Sequence, residues 1–213
     1  MAVQVWSNVA VAMQSALGAD KILSAVTQAN PGVATSAAHG LLNGAYTYLS
    51  SIQGMYQIDG MVTRVANKTT DNFDLEGIDT RNYGAFTSGK ANEITFGTSL
   101  GTGLTINVSG GDFEKIDYTT IHDSVRRQLI GLANPIEIQL DTIWDPADAA
   151  FAALKLAADT KAIRAFKFTF ANGYKWVFAG YIGFTGAPTG GSQEVVKTPL
   201  VITSNGRMNY YTT

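Results

Sequence analysis

The residues that could carry out a reaction are few and scattered along this chain. Its 213 residues include no cysteine and two histidines, His39 and His122. Without cysteine there is neither a thiolate nucleophile nor a cysteine-based zinc site. His122-Asp123-Ser124 has the residue types of a catalytic triad, but adjacent side chains of a strand point to opposite faces and cannot relay a proton. We therefore predict no catalytic residue, cofactor site or metal site, and interpret His39 as a hydrogen-bonded structural residue.

One acidic run is the other feature that could bind a ligand, and it comprises Asp71, Asp74, Glu76 and Asp79. Calcium loops place their ligands in an Asp-x-Asp-x-Asp-Gly pattern that ends in a bidentate glutamate. This run has neither that spacing nor the terminal glutamate. We interpret it as the solvated edge of a strand.

The overall charge argues against a dedicated nucleic-acid-binding protein. The chain has 15 basic and 17 acidic residues, whereas phosphate binding by counterion release needs a basic surplus. The amino terminus lacks a basic segment followed by an apolar run, and no stretch approaches the ~18 apolar residues of a membrane helix. We expect neither a signal peptide nor a membrane-bound protein.

The one compact basic element is Arg126-Arg127, in a polar segment that we predict to be a loop over residues 119–134. The segment is too polar for a core strand, and long ordered loops are usually functional. Because arginine binds carboxylates in a bidentate geometry, the pair suits carboxylates of a partner or of the same chain. A solvated loop tip is the alternative.

Short apolar runs between turn residues predict a mainly β fold. Ile136, Ile138 and Leu140 alternate with polar residues, which indicates a strand with one buried face, and residues 196–202 predict a last strand. Alternating residues on either side of Gly110-Gly111, at 104–108 and 116–118, predict a hairpin. We expect the tail, residues 206–213, to be ordered only by a neighbouring molecule.

A single helix is expected after the Ile136 strand. Asp145 suits its N-cap, Pro146 suits its first position, and we expect it to end near Asp159. Its apolar stripe comprises Ala147, Phe151, Leu154 and Ala158.

An aromatic hairpin is expected around Asn172-Gly173. A two-residue turn would set polar side chains opposite aromatic ones. A bulged three-residue turn instead places Phe168 opposite Phe178. It also places Phe170 opposite Trp176, and we favour this register.

Five aromatic residues are candidates for the core or for an interface: Trp144, Trp176, Tyr181, Tyr210 and Tyr211. A unit built on one sheet has limited interior to hide them. Since aromatic residues and arginine are enriched at interfaces, we favour association with a partner.

Closely spaced turn residues divide residues 20–95 into short strands, as in a small barrel or sandwich. We predict that this segment is an inserted small all-β domain. Residues 1–19 and 96–213 would then form the other domain.

The second of these domains resembles the major tail, or tail tube, proteins of long-tailed non-contractile bacteriophages. The resemblance is carried by residues 135–146 (PIEIQLDTIWDP), the helix after them, the hairpin at Asn172-Gly173 with Gly180-Tyr181, and the closing strand. It implies a β-sandwich or barrel with one flanking α-helix, assembled as hexameric rings that stack into the tube through which DNA passes without specific binding. It implies no catalytic residues and no cofactors.

The same resemblance implies that residues 117–134 are a long loop that reaches a neighbouring subunit. We assign to this contact Asp117, Thr119, His122, Asp123, Arg126, Arg127, Gln128, Leu129 and Leu132. The implied partners are other copies of the chain and the tape measure, tail terminator and distal tail proteins. The implied location is the virion, after synthesis in the host cytoplasm.

The predicted insert is similar to a small β-domain of phage proteins and to a half-domain of ubiquitin-activating enzymes. The similarity lies in AHGL at residues 38–41, IQGM at 52–55, IDG at 58–60 and YGAFTSG at 83–89. Thioester chemistry needs a cysteine, so we expect an outward-facing decoration without that activity.

Two other functions fit the sequence. One is another virion ring protein, such as a terminator or distal tail protein. The other is a monomeric β-sandwich, a carbohydrate-binding or adhesin module whose exposed aromatic side chains would stack on sugars.

Overall fold

The computed structural model describes residues 6–212, so the first five residues of the predicted tube domain, and Thr213, lie outside the described part. Within it the chain forms one α-helix, α1 (Ala149–Asp159), a 3-10 helix at Tyr56–Ile58, and seventeen strands. The strands are β1 (Ala10–Met13), β2 (Ala16–Leu23), β3 (Ala25–Val26), β4 (Gly32–Thr35), β5 (Tyr46–Gln53), β6 (Val62–Ala66), β7 (Asn72–Leu75), β8 (Ser88–Thr95), β9 (Thr98–Ser99), β10 (Gly103–Gly110), β11 (Phe113–Asp117), β12 (Gln128–Ala133), β13 (Ile136–Ile143), β14 (Arg164–Thr169), β15 (Lys175–Phe184), β16 (Lys197–Ser204) and β17 (Asn209–Tyr211). The prediction of a mainly β protein with one α-helix is confirmed.

Eight of the strands form an antiparallel main sheet in the order β10-β13-β16-β15-β14-β1-β9, with β17 also paired to β15. Its two end strands, β9 and β10, are joined by residues 100–102, which span at most about 14 Å. Leu100 N donates to Val11 O at 2.8 Å, and Ile143 N donates to Thr102 O at 3.0 Å. The sheet therefore curls until its two ends meet at this link.

The inner face of the main sheet is lined by aromatic side chains of β14 and β15. Phe166 stacks on Phe178 with ring centroids 5.7 Å apart, and Phe168 lies 5.1 Å from Trp176. The α1 helix packs on this face through its buried side chains Ala150, Leu154 and Ala157. This cluster is the core of the carboxy-terminal part of the chain.

The predicted register of the β14–β15 hairpin is wrong by two residues. A three-residue loop, 171–173, is present, and Phe170 N donates to Tyr174 O at 2.8 Å. Phe168 therefore lies opposite Trp176 rather than Phe178. Aromatic residues still face each other, because a shift of two residues keeps every side chain on its own face.

The predicted end of α1 is confirmed, but the predicted start is wrong. Asp148, not Asp145, is the N-cap, and its Oδ1 accepts from Ala150 N at 3.0 Å. Asp145 instead closes a turn before the helix, accepting from Ala147 N at 3.0 Å. Both aspartates precede a candidate first turn, so residue type alone could not separate them.

The predicted hairpin at Gly110-Gly111 is also wrong. β10 pairs with β13, which places Ile106 opposite Leu140 and Val108 opposite Ile138. Both glycines have positive φ, +83° and +80°, and the chain continues past them into β11 instead of reversing. Pairing with β13 is favoured because it sets apolar residues opposite apolar ones.

Strands β2–β8 form the N-terminal sheet, in the order β2-β8-β5-β6-β7-β4-β3. It has its own core, which includes the fully buried side chains of Leu49, Phe73 and Leu75. A third apolar cluster joins it to the main sheet, on the face of β14 and β15 opposite α1. This cluster comprises Tyr46, Val62, Ile94, Ala165, Val177, Ala179 and Tyr211.

The carboxy-terminal tail is ordered within the chain, so the prediction that a neighbour must order it is wrong. β17 pairs with β15, and Tyr211 is 5% exposed. The Tyr211 hydroxyl accepts from Arg64 N at 2.9 Å, and the Arg64 guanidinium lies 4.7 Å from the Tyr211 ring centroid. Burial raises the pKa of the Tyr211 hydroxyl. The tail thereby fastens the N-terminal sheet to the main sheet.

The five candidate aromatic residues divide between the core and the surface. Trp176 and Tyr211 are buried, whereas Trp144, Tyr181 and Tyr210 are exposed. The predicted association with a partner can therefore involve Trp144, Tyr181 and Tyr210, but not the two buried residues.

We expect Tyr211→Ala to destabilise the chain by about 3 kcal/mol, because it removes a buried ring between the two sheets and its hydrogen bond to Arg64. The measurement is urea unfolding followed by circular dichroism. Tyr210→Ala is the matched control: its side chain is 72% exposed, and we expect a loss below about 1 kcal/mol. Equal losses for the two variants would contradict this role of Tyr211.

Candidate assembly surface

Strands β11 and β12 form a two-stranded hairpin, residues 113–133, which we call the arm. Among the described residues it is hydrogen-bonded as a sheet of its own, separate from the main and N-terminal sheets. Asn134 N donates to Asp112 O at 2.9 Å and closes its base. The predicted loop over residues 119–134 is therefore a strand in its second half, Gln128–Ala133.

The register of the arm assigns its side chains to two faces. Ile116 lies opposite Leu129, and the next pair along the ladder joins Lys115 to Ile130. Because successive side chains of a strand alternate, these two pairs lie on opposite faces. We call the first the aromatic face, which has Ile116, Tyr118 and Leu129, and the second the leucine face, which has Lys115, Ile130 and Leu132.

The apolar side chains of both faces are exposed. Leu129 is 56% exposed, Ile130 76% and Leu132 85%. No residue of the arm belongs to any of the three apolar clusters of the described chain. Since an isolated two-stranded hairpin is marginally stable in water, the arm is suited to a partner that covers it.

The tip of the arm is held by hydrogen bonds within the chain. Asp117 Oδ1 accepts from Thr119 N at 2.8 Å and from the Thr119 hydroxyl at 2.6 Å. Asp123 Oδ2 accepts from Thr120 N at 3.0 Å, and its Oδ1 lies 2.9 Å from Arg127 Nε. The tip therefore has a defined conformation although it projects into solvent.

The predicted contact residues all lie on the arm, but they do different things there. Asp117, Thr119, Asp123 and Arg127 hold the tip; Gln128, Leu129 and Leu132 lie on β12. His122 and Arg126 are exposed. Arg126 forms no ion pair with any residue in the described range 6–212. The predicted carboxylate partner of Arg127 is thus in the same chain.

Sequence reasoning missed most of the apolar surface of the arm. The residues that it missed are Phe113, Ile116, Tyr118, Ile121, Val125 and Ile130, all of them exposed. The available signal was the apolar content of residues 113–133, which is too high for a solvated loop. The polar residues at the tip obscured it.

The other candidates for chemistry have structural partners. His39 is buried, with Nδ1 accepting from Leu41 N at 3.0 Å and the ring 5.1 Å from Phe73, which confirms its structural role. In the acidic run, Glu76 pairs with Arg64 and Asp79 with Arg81. Residues 6–212 contain no cluster of three or more His, Cys, Asp or Glu side chains placed to hold a metal ion. Nor does this part of the chain have a helix long and apolar enough to cross a membrane.

Hydrogen bonding at the tip lowers the pKa of Asp117, and the Thr119 hydroxyl is the main cause. This hydrogen bond stabilises the tip fully at pH values above 3.8, the ordinary pKa of aspartate. The stabilisation is lost as the pH falls through the lowered pKa of Asp117.

We expect Thr119→Val to raise the pKa of Asp117 part of the way to its ordinary value, because the backbone N–H of residue 119 still donates to the carboxylate. The measurement is an NMR titration of the Asp117 carboxyl carbon. Thr120→Val is the matched control, since the Thr120 hydroxyl bonds Asp123 instead. A titration of Asp117 unchanged by Thr119→Val would show that the hydroxyl has no such effect.

Comparison with known proteins agrees with a role in assembly. No curated protein matches the chain in sequence. A family model described as "Phage tail tube protein, TTP" matches residues 53–213. The match includes the arm, α1 and the main-sheet strands from β9 onward, and it begins within the N-terminal sheet. The chain belongs to the phage tail tube protein family.

Proposed function

We propose that this tail tube protein builds the tube as stacked hexameric rings, and that DNA passes through their lumen. Family membership implies a structural role in the virion and self-assembly into a tube. The observation that carries the finer proposal is the arm, whose two apolar faces project from the body of the chain. An apolar hairpin of this kind suits contact with a neighbouring subunit.

A monomeric carbohydrate-binding module is less well supported, because it would leave both faces of the arm in water. Exposed apolar surface of this extent marks an interaction site in a soluble protein. An enzyme is disfavoured by the structural role of the family.

The free edge of β10 supports ring formation. Among the residues that the structure describes, β10 pairs with one strand, β13, and its sequence over Gly103–Gly110 has no charged residue. Uncharged edge strands of eight residues readily pair with another chain, and closing a ring removes such edges. We propose that β10 contributes to the contact between subunits of one ring.

The side chains on the outer face of β10 and β13 suit the lining of a lumen that does not retain DNA. Its exposed side chains are Thr105, Asn107, Ser109, Glu137 and Gln139. Carboxylates repel phosphates, and none of these five side chains is basic. We propose that this face lines the lumen.

We also propose that residues 20–95 are an inserted domain that decorates the outside of the tube. The separate core of the N-terminal sheet supports this assignment. We propose the tape measure protein as a partner inside the tube, and the tail terminator and distal tail proteins as partners at its ends. We also propose that the chain is synthesised in the host cytoplasm. The resemblance to the major tail proteins supports these proposals.

We expect Arg126→Glu to raise the concentration needed for assembly about tenfold, equivalent to losing about 1.4 kcal/mol at one contact. Arg126 is the sharper of the two predicted arginines to test, because Arg127 already pairs with Asp123 in its own chain. The measurement is light scattering against protein concentration, with negative-stain imaging of the product. Circular dichroism checks that the variant is folded.

Arg81→Glu is the matched control, since Arg81 is an exposed arginine that pairs with Asp79 in the connection between β7 and β8, away from the arm. We expect this variant to assemble at the wild-type concentration. An unchanged assembly concentration for Arg126→Glu would remove Arg126 from the proposed contact.

A further inference from the structure

Both faces of the arm expose apolar side chains to solvent. On the aromatic face Leu129 is 56% exposed, while Ile130 on the leucine face is 76% exposed. These faces point in opposite directions, because adjacent pairs of the ladder alternate. A flat partner surface that covers one face leaves the other in water.

Within residues 6–212, nothing in the chain's own body covers either face. The arm leaves the main sheet at Gly110-Gly111, and none of its residues takes part in an apolar cluster of the described chain. We therefore look to other molecules for the cover. Because tail tube proteins assemble with copies of themselves, the molecules that we consider are copies of this chain.

A single copy is poorly shaped to enclose the arm. Two strands of five or six residues occupy on the order of 1,700 Å³, from strand spacings of about 5 Å and face-to-face spacings of about 10 Å. The groove at the base of the arm, lined by Phe113, Pro135, Arg207 and Met208 among others, has about 1130 Å³ of empty space, its open mouth included. It admits a few side chains and not a hairpin.

We propose that each arm is enclosed between two different copies of the chain, one against the aromatic face and one against the leucine face. This inference rests on the proposed function, in which the arm contacts neighbouring subunits. It adds that the arm ties three subunits together, so that both of its faces lose contact with solvent on assembly.

Single-cysteine variants test this directly, since the chain has no cysteine of its own. Leu129→Cys and Ile130→Cys place a thiol at adjacent positions on opposite faces of the arm. We expect both thiols to react with a maleimide in the unassembled chain and both to react at least tenfold more slowly in tubes. Tubes dissolved in urea supply the control for full reactivity.

Hydroxyl-radical footprinting of the wild-type chain gives the same comparison without a substitution. We expect oxidation of Ile116 and Leu129, and equally of Ile130 and Leu132, to fall when tubes form. If tubes form and one face keeps the reactivity of the unassembled chain in either experiment, the two-copy enclosure is wrong while the proposed function stands. If the wild-type chain forms no tubes, the proposed function itself fails.

Discussion

Burial of the β14–β15 pair on both of its faces is the constraint on which the rest of the fold depends. On one face, Phe168 and Trp176 belong to the core that α1 covers; on the other, Ala165 and Val177 meet the N-terminal sheet. β16 and β17 then share one edge of β15. The α1 helix, the N-terminal sheet and the tail, which Tyr211 fastens to Arg64, are therefore each positioned by contact with this hairpin.

The arm is the one part of the described chain that this arrangement leaves without a core. Its strands extend the direction of β10 and β13 beyond Gly110-Gly111, where the main sheet ends. A ladder of backbone hydrogen bonds and the ion pair of Asp123 with Arg127 hold its shape, but its apolar side chains stay exposed. A preformed hairpin loses little conformational entropy on docking, which favours assembly over a disordered loop.

Sequence patterns predicted the parts of the fold in which one face is buried. Ile138 and Leu140 alternate with exposed residues, and the strand that contains them is confirmed. Gly110-Gly111 misled because glycines allow positive φ whether a chain reverses or continues. The β12 strand was missed because Leu129 and Ile130 are consecutive apolar residues. A strand with apolar side chains on both faces lacks the alternation of apolar and polar residues that marks a strand with one buried face.

The central claim is that the arm builds the tube while the body folds without it. Because Asp112 and Asn134 are hydrogen-bonded to each other, residues 113–133 can be replaced by a short Asn-Gly turn without separating the ends. Negative-stain imaging and sedimentation of this variant beside the wild-type chain measure the claim directly. We predict tubes from the wild type and a folded, unassembled chain from the variant; tubes of normal appearance from the variant would contradict the account.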